Sequence, residues 1–396
     1  MSFRFIVLGI ATLLTLYLGW RLITPAPLSR TRKLTAWLLV AFALYVHPLM
    51  MMARHSGIEG EAMTFLSWTG YSFFGLASLL VALMLARDLP LLARRVGLLF
   101  AKPFSRPKER TYFTRATDKG RRRFLLNATN ATLLAAAVPL TGYAAYEANR
   151  TPSVVKNDLP VPGLPEGLDG FTIAQISDTH IGLTLGREWA RTVVDEVNAL
   201  APDMIVHTGD MVDGSVDALR DDVAPFADLS APHGIWFCTG NHEYYSGVLP
   251  WLRKVEELGM TPLVNEHRLV DTGRGRILMA GVADYDAARI YPPHASSPKA
   301  AMAGAPESDV SILLAHRPRS VFEGGKAGFD IQLSGHTHGG QYFPYTLAIH
   351  LFQPFVRGFY LHEDTRLYVN QGTGYWGPPM RLGTVPEITM HTLRRA

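Results

Sequence analysis

Cysteine is almost missing from this chain: Cys238 is the single one in 396 residues, so no intrachain disulfide can form and cysteine usage says nothing about redox compartment. Its apolar neighbours give it the reading of a small buried hydrophobe in a strand. Acidic residues are scarce at the start. Residues 1–123 carry 18 Lys and Arg against 5 Asp and Glu, and the remainder carries 20 against 29. The basic balance of the whole, pI about 9.1, is therefore no nucleic-acid signature. The excess lies beside apolar runs, and the acidic remainder lacks the cations that a polyanion demands, so nucleic acid is excluded as a partner class. Internal repeats are absent. So is every Asp, Glu, Lys and Arg from four stretches, about 5–20, 34–53, 63–86 and 124–146.

A bilayer-spanning helix needs roughly 20 such residues, so these stretches predict an all-α transmembrane region of about four helices within residues 1–150. No small-x-small cleavage site follows the first run at Gly19-Trp20-Arg21, which predicts an uncleaved span. No carboxylate or lysine falls inside a run to mark a transport pathway. Short cytoplasmic loops collect Lys and Arg. The loop after the first run is basic, and residues 87–123 hold twelve Lys and Arg. Both are expected inside, and everything after about Glu147 outside, on the extracytoplasmic or periplasmic face of the cytoplasmic membrane. Gly120-Arg121-Arg122-Arg123-Phe124-Leu125 resembles the twin-arginine signal, making that export machinery an expected partner; three arginines that merely anchor a helix at the headgroups would give the same topology. Leu89–Phe100 reads equally as an interfacial helix or as a solvated basic loop.

Residues 151–170, rich in Pro, Gly and Leu, read as a linker to a soluble domain over 171–396. There, β patterns recur at 171–177, 204–207, 235–239, 277–282, 310–315, 329–333, 367–370 and 388–393. Helical patterns fall at 187–200, 216–229 and 249–258. Strands alternate with helices early and follow one another later, which predicts a layered α/β sandwich with mixed sheets.

Polar residues gather where strands end: Asp178-Thr179-His180, Gly209-Asp210, Gly240-Asn241-His242-Glu243, His316, and Gly335-His336-Thr337-His338. Each alone has a bland explanation as a helix cap or a turn. Together they place imidazoles, carboxylates and an amide at the carboxyl ends of strands, where open α/β sheets gather ligands. His336 and His338 stand two apart after an apolar run, a spacing that puts both rings on one face if the strand continues through them.

The five blocks, spanning 171 to about 340, resemble the calcineurin-like metallophosphoesterase superfamily. The strings Gly-Asn-His-Glu-Tyr-Tyr, Gly-His-Thr-His-Gly-Gly-Gln and Gly372-Thr373-Gly374-Tyr375-Trp376-Gly377-Pro378-Pro379 are similar to its membrane-anchored bacterial branch, typified by YkuE and YaeI. One departure is that the usual arginine of the second block is missing and Asp213-Gly214 follows Asp210. The resemblance implies a metallophosphoesterase fold and two divalent metal ions, Asp178, His180 and His338 holding one, Asn241, His316 and His336 the other, and Asp210 bridging. Such a mixed donor set suits Mn, Fe or Zn better than calcium. It also implies a phosphoester hydrolase. His242, beside a ligand rather than one itself, is the candidate general acid because histidine titrates near neutrality, and Glu243 either orients His242 or an adjacent backbone group or caps a helix. Tyr244, Tyr245, Tyr375 and Trp376 are candidates for the cleft rim, or packing. The expected substrate is a phosphoester, taken here as a phospholipid or lipid diphosphate because the domain is tethered to a membrane. The competing expectation is a catalytically silent metal-binding or partner-binding membrane module.

Overall fold

The computed structural model describes residues 3–55, 61–101 and 119–396, and divides into two compact units, 1–143 and 144–396.

The first unit is helical: α1 Phe3–Leu18, α2 Arg30–His55, α3 Glu61–Ala101 and α4 Lys119–Asn149, whose last turn already belongs to the second unit. These helices contain the four expected spans, but the number of membrane-length spans is corrected. Among the described residues, two helical stretches are long and apolar enough to cross a bilayer, Ala62–Arg94 and Gly120–Asn149. The apolar stretch Val7–Ile23 is shorter; at 1.5 Å per residue it reaches about 25 Å against the roughly 30 Å of a hydrocarbon core. Of the 34–53 run, the side chains of 47 and 50–53 lie outside the described residues. The expected loop 87–123 and the separate interfacial helix at Leu89–Phe100 are also corrected, since α3 continues through Pro90 to Ala101 and absorbs both starts. Residues 102–118 lie outside the described set. Asp88 lies in this continuation and accepts from Tyr17 Oη (3.0 Å), Arg87 Nε (2.8 Å) and Arg21 Nη2 (2.5 Å), so its charge is compensated within the unit.

The second unit contains the strands β1 Ser153–Val161, β2 Thr172–Ile176, β3 Met204–His207, β4 Ile235–Phe237, β5 Thr261–Pro262, β6 Glu266–Asp271, β7 Arg276–Gly281, β8 Val310–Leu314, β9 Ile331–Ser334, β10 Gly358–His362, β11 Thr365–Val369 and β12 Glu387–Arg395. They form two mixed six-stranded sheets, ordered β1-β12-β2-β3-β4-β5 and β10-β11-β9-β8-β7-β6. Alternation along each strand divides its apolar side chains between two layers. Ile173, Met204 and Val206 face Ile277, Met279, Ile312 and Leu314 in a core between the sheets, with Cys238 buried among them as expected. Ala174, Ile176 and Ile205 point the other way, onto Val193, Val194 and Val197 of helix α5 Arg187–Ala199 and onto Trp251. Leu278, Ala280 and Leu313 cover the second sheet's outer face with Ala301 and Phe329. Each Val, Leu, Ile, Phe or Met among them stabilises the fold by about 1.5–3 kcal/mol when fully buried. The layered α/β sandwich is what the strand pattern implied.

The linker expectation is corrected. Ser153–Val161 is β1, paired in parallel over nine positions with the C-terminal strand β12, from Ser153 opposite Glu387 to Val161 opposite Arg395. Lys156, Asn157 and Asp158 mask the strand in sequence because it is an edge strand, half solvated. The helical pattern at 216–229 is also broken: Val216–Leu219 is a single turn, and the chain resumes as a 3-10 turn at Ala224–Asp228, which begins with a proline in its first turn.

Candidate metal centre

Each of the five blocks lies just past a strand's carboxyl end: β2 ends at Ile176, β3 at His207, β4 at Phe237, β8 at Leu314 and β9 at Ser334. The first three strands lie side by side in one sheet and the last two in the other, so the blocks converge from both layers. Five of the predicted site residues sit in the left-handed backbone region that side chains other than glycine rarely enter: Asp178 (φ 52°), His180 (46°), Asp210 (54°), His336 (72°) and His338 (50°). Conformations of this kind cost of order 1–3 kcal/mol each and persist only where surrounding contacts over-determine them.

This backbone corrects the strand argument for the histidine pair. β9 has already ended, and His336 and His338 serve two different clusters rather than one strand face. One donor atom from each of Asp178, His180 and His338 lies within 4.8 Å of the others, and the same holds for Asp210, His316 and His336. The Nε2 atoms of His180 and His338 are 3.1 Å apart, and His338 Nε2 is 3.4 Å from Asp178 Oδ1. In the second cluster, His336 Nδ1 is 3.2 Å from His316 Nε2, which is 3.1 Å from Asp210 Oδ2. Asp210 stands between the clusters, its Oδ2 also 4.0 Å from His180 Nε2.

Hydrogen bonds fix this arrangement. Ser177 Oγ donates to Asp178 Oδ2 (2.6 Å), and His336 N–H donates to both of its carboxylate oxygens (3.1 and 3.0 Å). His316 Nδ1 faces the carbonyl of Thr208 at 2.8 Å, which assigns a proton there and orients the ring so that Nε2 faces Asp210. Glu243, fully buried, accepts from the N–H groups of Asp210 (3.0 Å), Met211 (2.7 Å) and Gly240 (2.7 Å). It thus both caps the short helix Asn241–Tyr245 and clamps the second block to the third. Two glycines are required by close approach: a Cβ on Gly240 would overlap Asp210 Oδ1, and one on Gly335 would overlap Ser177 Oγ and Asp178 Oδ2.

The donor set fits metal ions by a test that is independent of the clusters. Among the described residues Asn241 Oδ1 is buried with no hydrogen-bond partner, a costly state for an amide oxygen unless a cation faces it. Burial, with His316 and Arg317 nearby, pushes His336 well below the ordinary imidazole range, and burial with His180 and Arg381 does the same for His338. That shift favours the neutral, lone-pair-bearing form of each ring. Burial would raise Asp210, yet His316 and His242 hold it well below the carboxylate range. Burial would also lower His316, but Asp210 pushes it up to about 10.

Asp213, noted in sequence only as a departure, is the residue the reading missed. Its Oδ1 lies 2.9 Å from His180 Nδ1 and 2.6 Å from His242 Nδ1, so one carboxylate oxygen orients both imidazoles. Burial opposes its ionisation, but those two histidines hold it well below the usual range. His242 responds in kind: burial lowers it, whereas Asp210 and Asp213 push it up to about 9. His242 Nε2 then faces the centre, 4.0 Å from Asp210 Oδ2, while its backbone N–H donates to Asp210 Oδ1 at 2.8 Å. No local pattern marked Asp213; only its place three residues after Asp210 was available.

Arg381 was missed as well. Fully buried, it donates through Nη2 to the carbonyls of Gln371 (2.8 Å), Gly372 (2.8 Å) and Gly374 (2.5 Å), and burial lowers its pKa to about 10. The Gly372–Pro379 string is therefore a loop gathered around a buried cation, beside His338. The candidate rim divides: Tyr244 and Tyr375 are packed inside, whereas Tyr245 and Trp376 are 65% and 48% exposed and stand edge-on to His242 at 5.3 and 5.7 Å.

Residues 171–340 match the family of calcineurin-like phosphoesterases. The chain is 38% identical over 265 residues to a Danio rerio protein named "Transmembrane protein with metallophosphoesterase domain", covering 65% of this chain and 61% of that one. It is 35% identical over 269 residues to an uncharacterized metallophosphoesterase of Campylobacter jejuni, covering 66% of this chain and 69% of that one. A third similarity, 30% over 268 residues, is to the uncharacterized metallophosphoesterase YkuE of Bacillus subtilis, covering 64% and 89%. The match thus spans 61% of the length of the Danio rerio relative and larger shares of the two bacterial ones.

Proposed function

Because the chain belongs to the calcineurin-like metallophosphoesterase family, we propose that it is a membrane-anchored bacterial-type phosphoester hydrolase working at a two-metal centre in the second unit. The observation that carries this is the pair of donor clusters joined at Asp210, with the orphaned Asn241 Oδ1 beside them. In this reading Asp178, His180 and His338 hold one ion and Asn241, His316 and His336 the other, with Asp210 shared; Mn, Fe and Zn are the candidates. When bound, the ions supply a deprotonated water and neutralise charge on the phosphoryl oxygens.

The chain's own residues do the rest. His316 is locked to one tautomer by the Thr208 carbonyl, so its donor atom is preset. Asp213 holds His242 with Nε2 toward the centre, where it donates a proton to the departing oxygen. Glu243 keeps Asp210 and the Asn241–His242 turn in one register.

The test uses the full-length protein in detergent, stripped by a chelator and resupplied with Mn, Fe or Zn. Hydrolysis of phosphomonoester and phosphodiester probes should vanish on stripping and return with two ions per chain. Stray metal alone, with no hydrolysis under any metal, would overturn the proposal.

The substrate proposed is a phospholipid or lipid diphosphate, since a tethered enzyme meets membrane-borne esters at high local concentration. The membrane reading is supported by the two helices of spanning length and by the name of the Danio rerio relative. Orientation is proposed from the basic loop: a reporter fused after residue 118 should be cytoplasmic and one after 155 extracytoplasmic. The reverse pattern would refute it. Arg121–Arg123 are proposed to direct the chain to twin-arginine export, and an unchanged reporter pattern with that route blocked would remove this partner alone.

A further inference from the structure

Between the Gly335–Gln341 block and β10 the chain makes a helical turn, Tyr345–Ala348, continued as a 3-10 turn, Ile349–Leu351. Neither contains a buried residue. Leu347, Leu351 and Phe352 are 66%, 81% and 75% exposed, so the largest apolar groups of the segment contribute almost nothing to the core. Clustered apolar exposure of this kind marks a surface that meets another phase or partner.

The segment's surroundings identify the phase. The last turn of α4, Ala144–Asn149, is built into the same unit. Ala148 packs with Leu185 and Tyr375, and the Ala144 carbonyl accepts from Arg381 N–H at 2.8 Å. The next residue, Leu382, accepts from Phe343 N–H at 3.2 Å, directly before the apolar segment. The helix long enough to cross a bilayer therefore ends at a corner that Arg381 and Leu382 tie to Phe343, just before the segment that carries Leu347, Leu351 and Phe352. Tyr146, 69% exposed on that last turn, is the aromatic type that settles at headgroup depth. The corner also reaches the site: Gln341 donates to the carbonyls of Trp376 and Pro378 at 3.0 Å and accepts from Trp376 N–H at 3.0 Å, and Trp376 flanks His242.

We infer that Leu347, Leu351 and Phe352 form an interfacial anchor that enters the bilayer crossed by α4, so that the mouth beside Trp376 opens onto the headgroup layer and draws its phosphoester from there. The substrate part of this inference rests on the hydrolase reading above; the docking part does not.

Two measurements on full-length protein in phosphatidylcholine–phosphatidylglycerol vesicles separate them. Cys238 is buried, so a nitroxide can be directed to Leu351→Cys, with Glu257→Cys as an exposed reference. The Leu351 label should collide with oxygen in preference to an aqueous nickel complex by about tenfold more than the reference label, as expected for acyl depth. Equal nickel access at both positions would overturn the anchor, and so would shielding from both reagents, which would mean a protein partner. Secondly, Leu347→Ser/Leu351→Ser/Phe352→Ser should slow hydrolysis of a vesicle-embedded lipid phosphoester by about tenfold or more, with a soluble aryl phosphodiester unaffected. Equal effects on both substrates would overturn the substrate part. Were wild-type protein inactive on both, the hydrolase reading would fall, while the label would still decide the docking.

Discussion

Asp210→Asn is expected to abolish metal-dependent hydrolysis while leaving the second unit cooperatively folded. Asparagine keeps the size of the side chain and an oxygen to accept from His242 N–H, so the turn survives. What disappears is the charge that stands between the clusters, 3.1 Å from His316 Nε2 and 4.0 Å from His180 Nε2. Both proposed metal positions depend on that single carboxylate, and the loss is not local to one of them. Metal Lewis acidity contributes several kcal/mol to phosphoryl transfer; at 1.36 kcal/mol per tenfold, turnover should fall on the order of 10³-fold or more. Elemental analysis, a thermal melt and the phosphoester assay on one preparation check this. Wild-type metal content together with near-wild-type turnover would exclude Asp210 as the shared ligand.

His242→Ala should retain metal and lose roughly 10²- to 10⁴-fold in rate on alkyl phosphoesters, the span general acid catalysis typically contributes. Aryl phosphates, whose leaving oxygen departs without a proton, should lose much less. The basis is geometric: Asp213 Oδ1 lies 2.6 Å from His242 Nδ1, which turns Nε2 toward the centre. Asp213→Ala should act on two fronts, because the same oxygen is 2.9 Å from His180 Nδ1. It should weaken metal affinity by about 10- to 100-fold, as removing a partner behind a ligating histidine typically does, and reproduce part of the leaving-group dependence. Uniform losses across alkyl and aryl substrates in His242→Ala would instead assign that ring a structural role.

Some of this was legible without coordinates because it is local. Short apolar runs bounded by turn residues located β2, β3, β4, β7, β8, β9, β11 and β12, since a strand buried on both faces reads as a near-continuous apolar run. The blocks at strand ends followed, as did the helix α5 with Val193, Val194 and Val197 on one face. Of the donors named from the sequence, Asp178, His180 and His338 come together in one cluster and Asp210, His316 and His336 in another, while Asn241 sits in the chain between Gly240 and His242, the latter donating its N–H to Asp210.

What the sequence determined by itself is the identity and order of the groups that carry chemistry, because side-chain type is a local property. The tertiary structure decided how they face each other. β1 is a strand only because β12, more than two hundred residues later, offers it an edge; a Pro- and Gly-rich flank cannot announce a partner that distant. The histidine pair serves two clusters because left-handed turns at His336 and His338, held by contacts from other blocks, replace the strand its spacing implied. Asp213 and Arg381 have no motif; their roles exist only through His180 and His242 in one case and three loop carbonyls in the other. Hydrogen bonds and packing between residues far apart in the chain are set by the fold as a whole, and no local spacing encodes them.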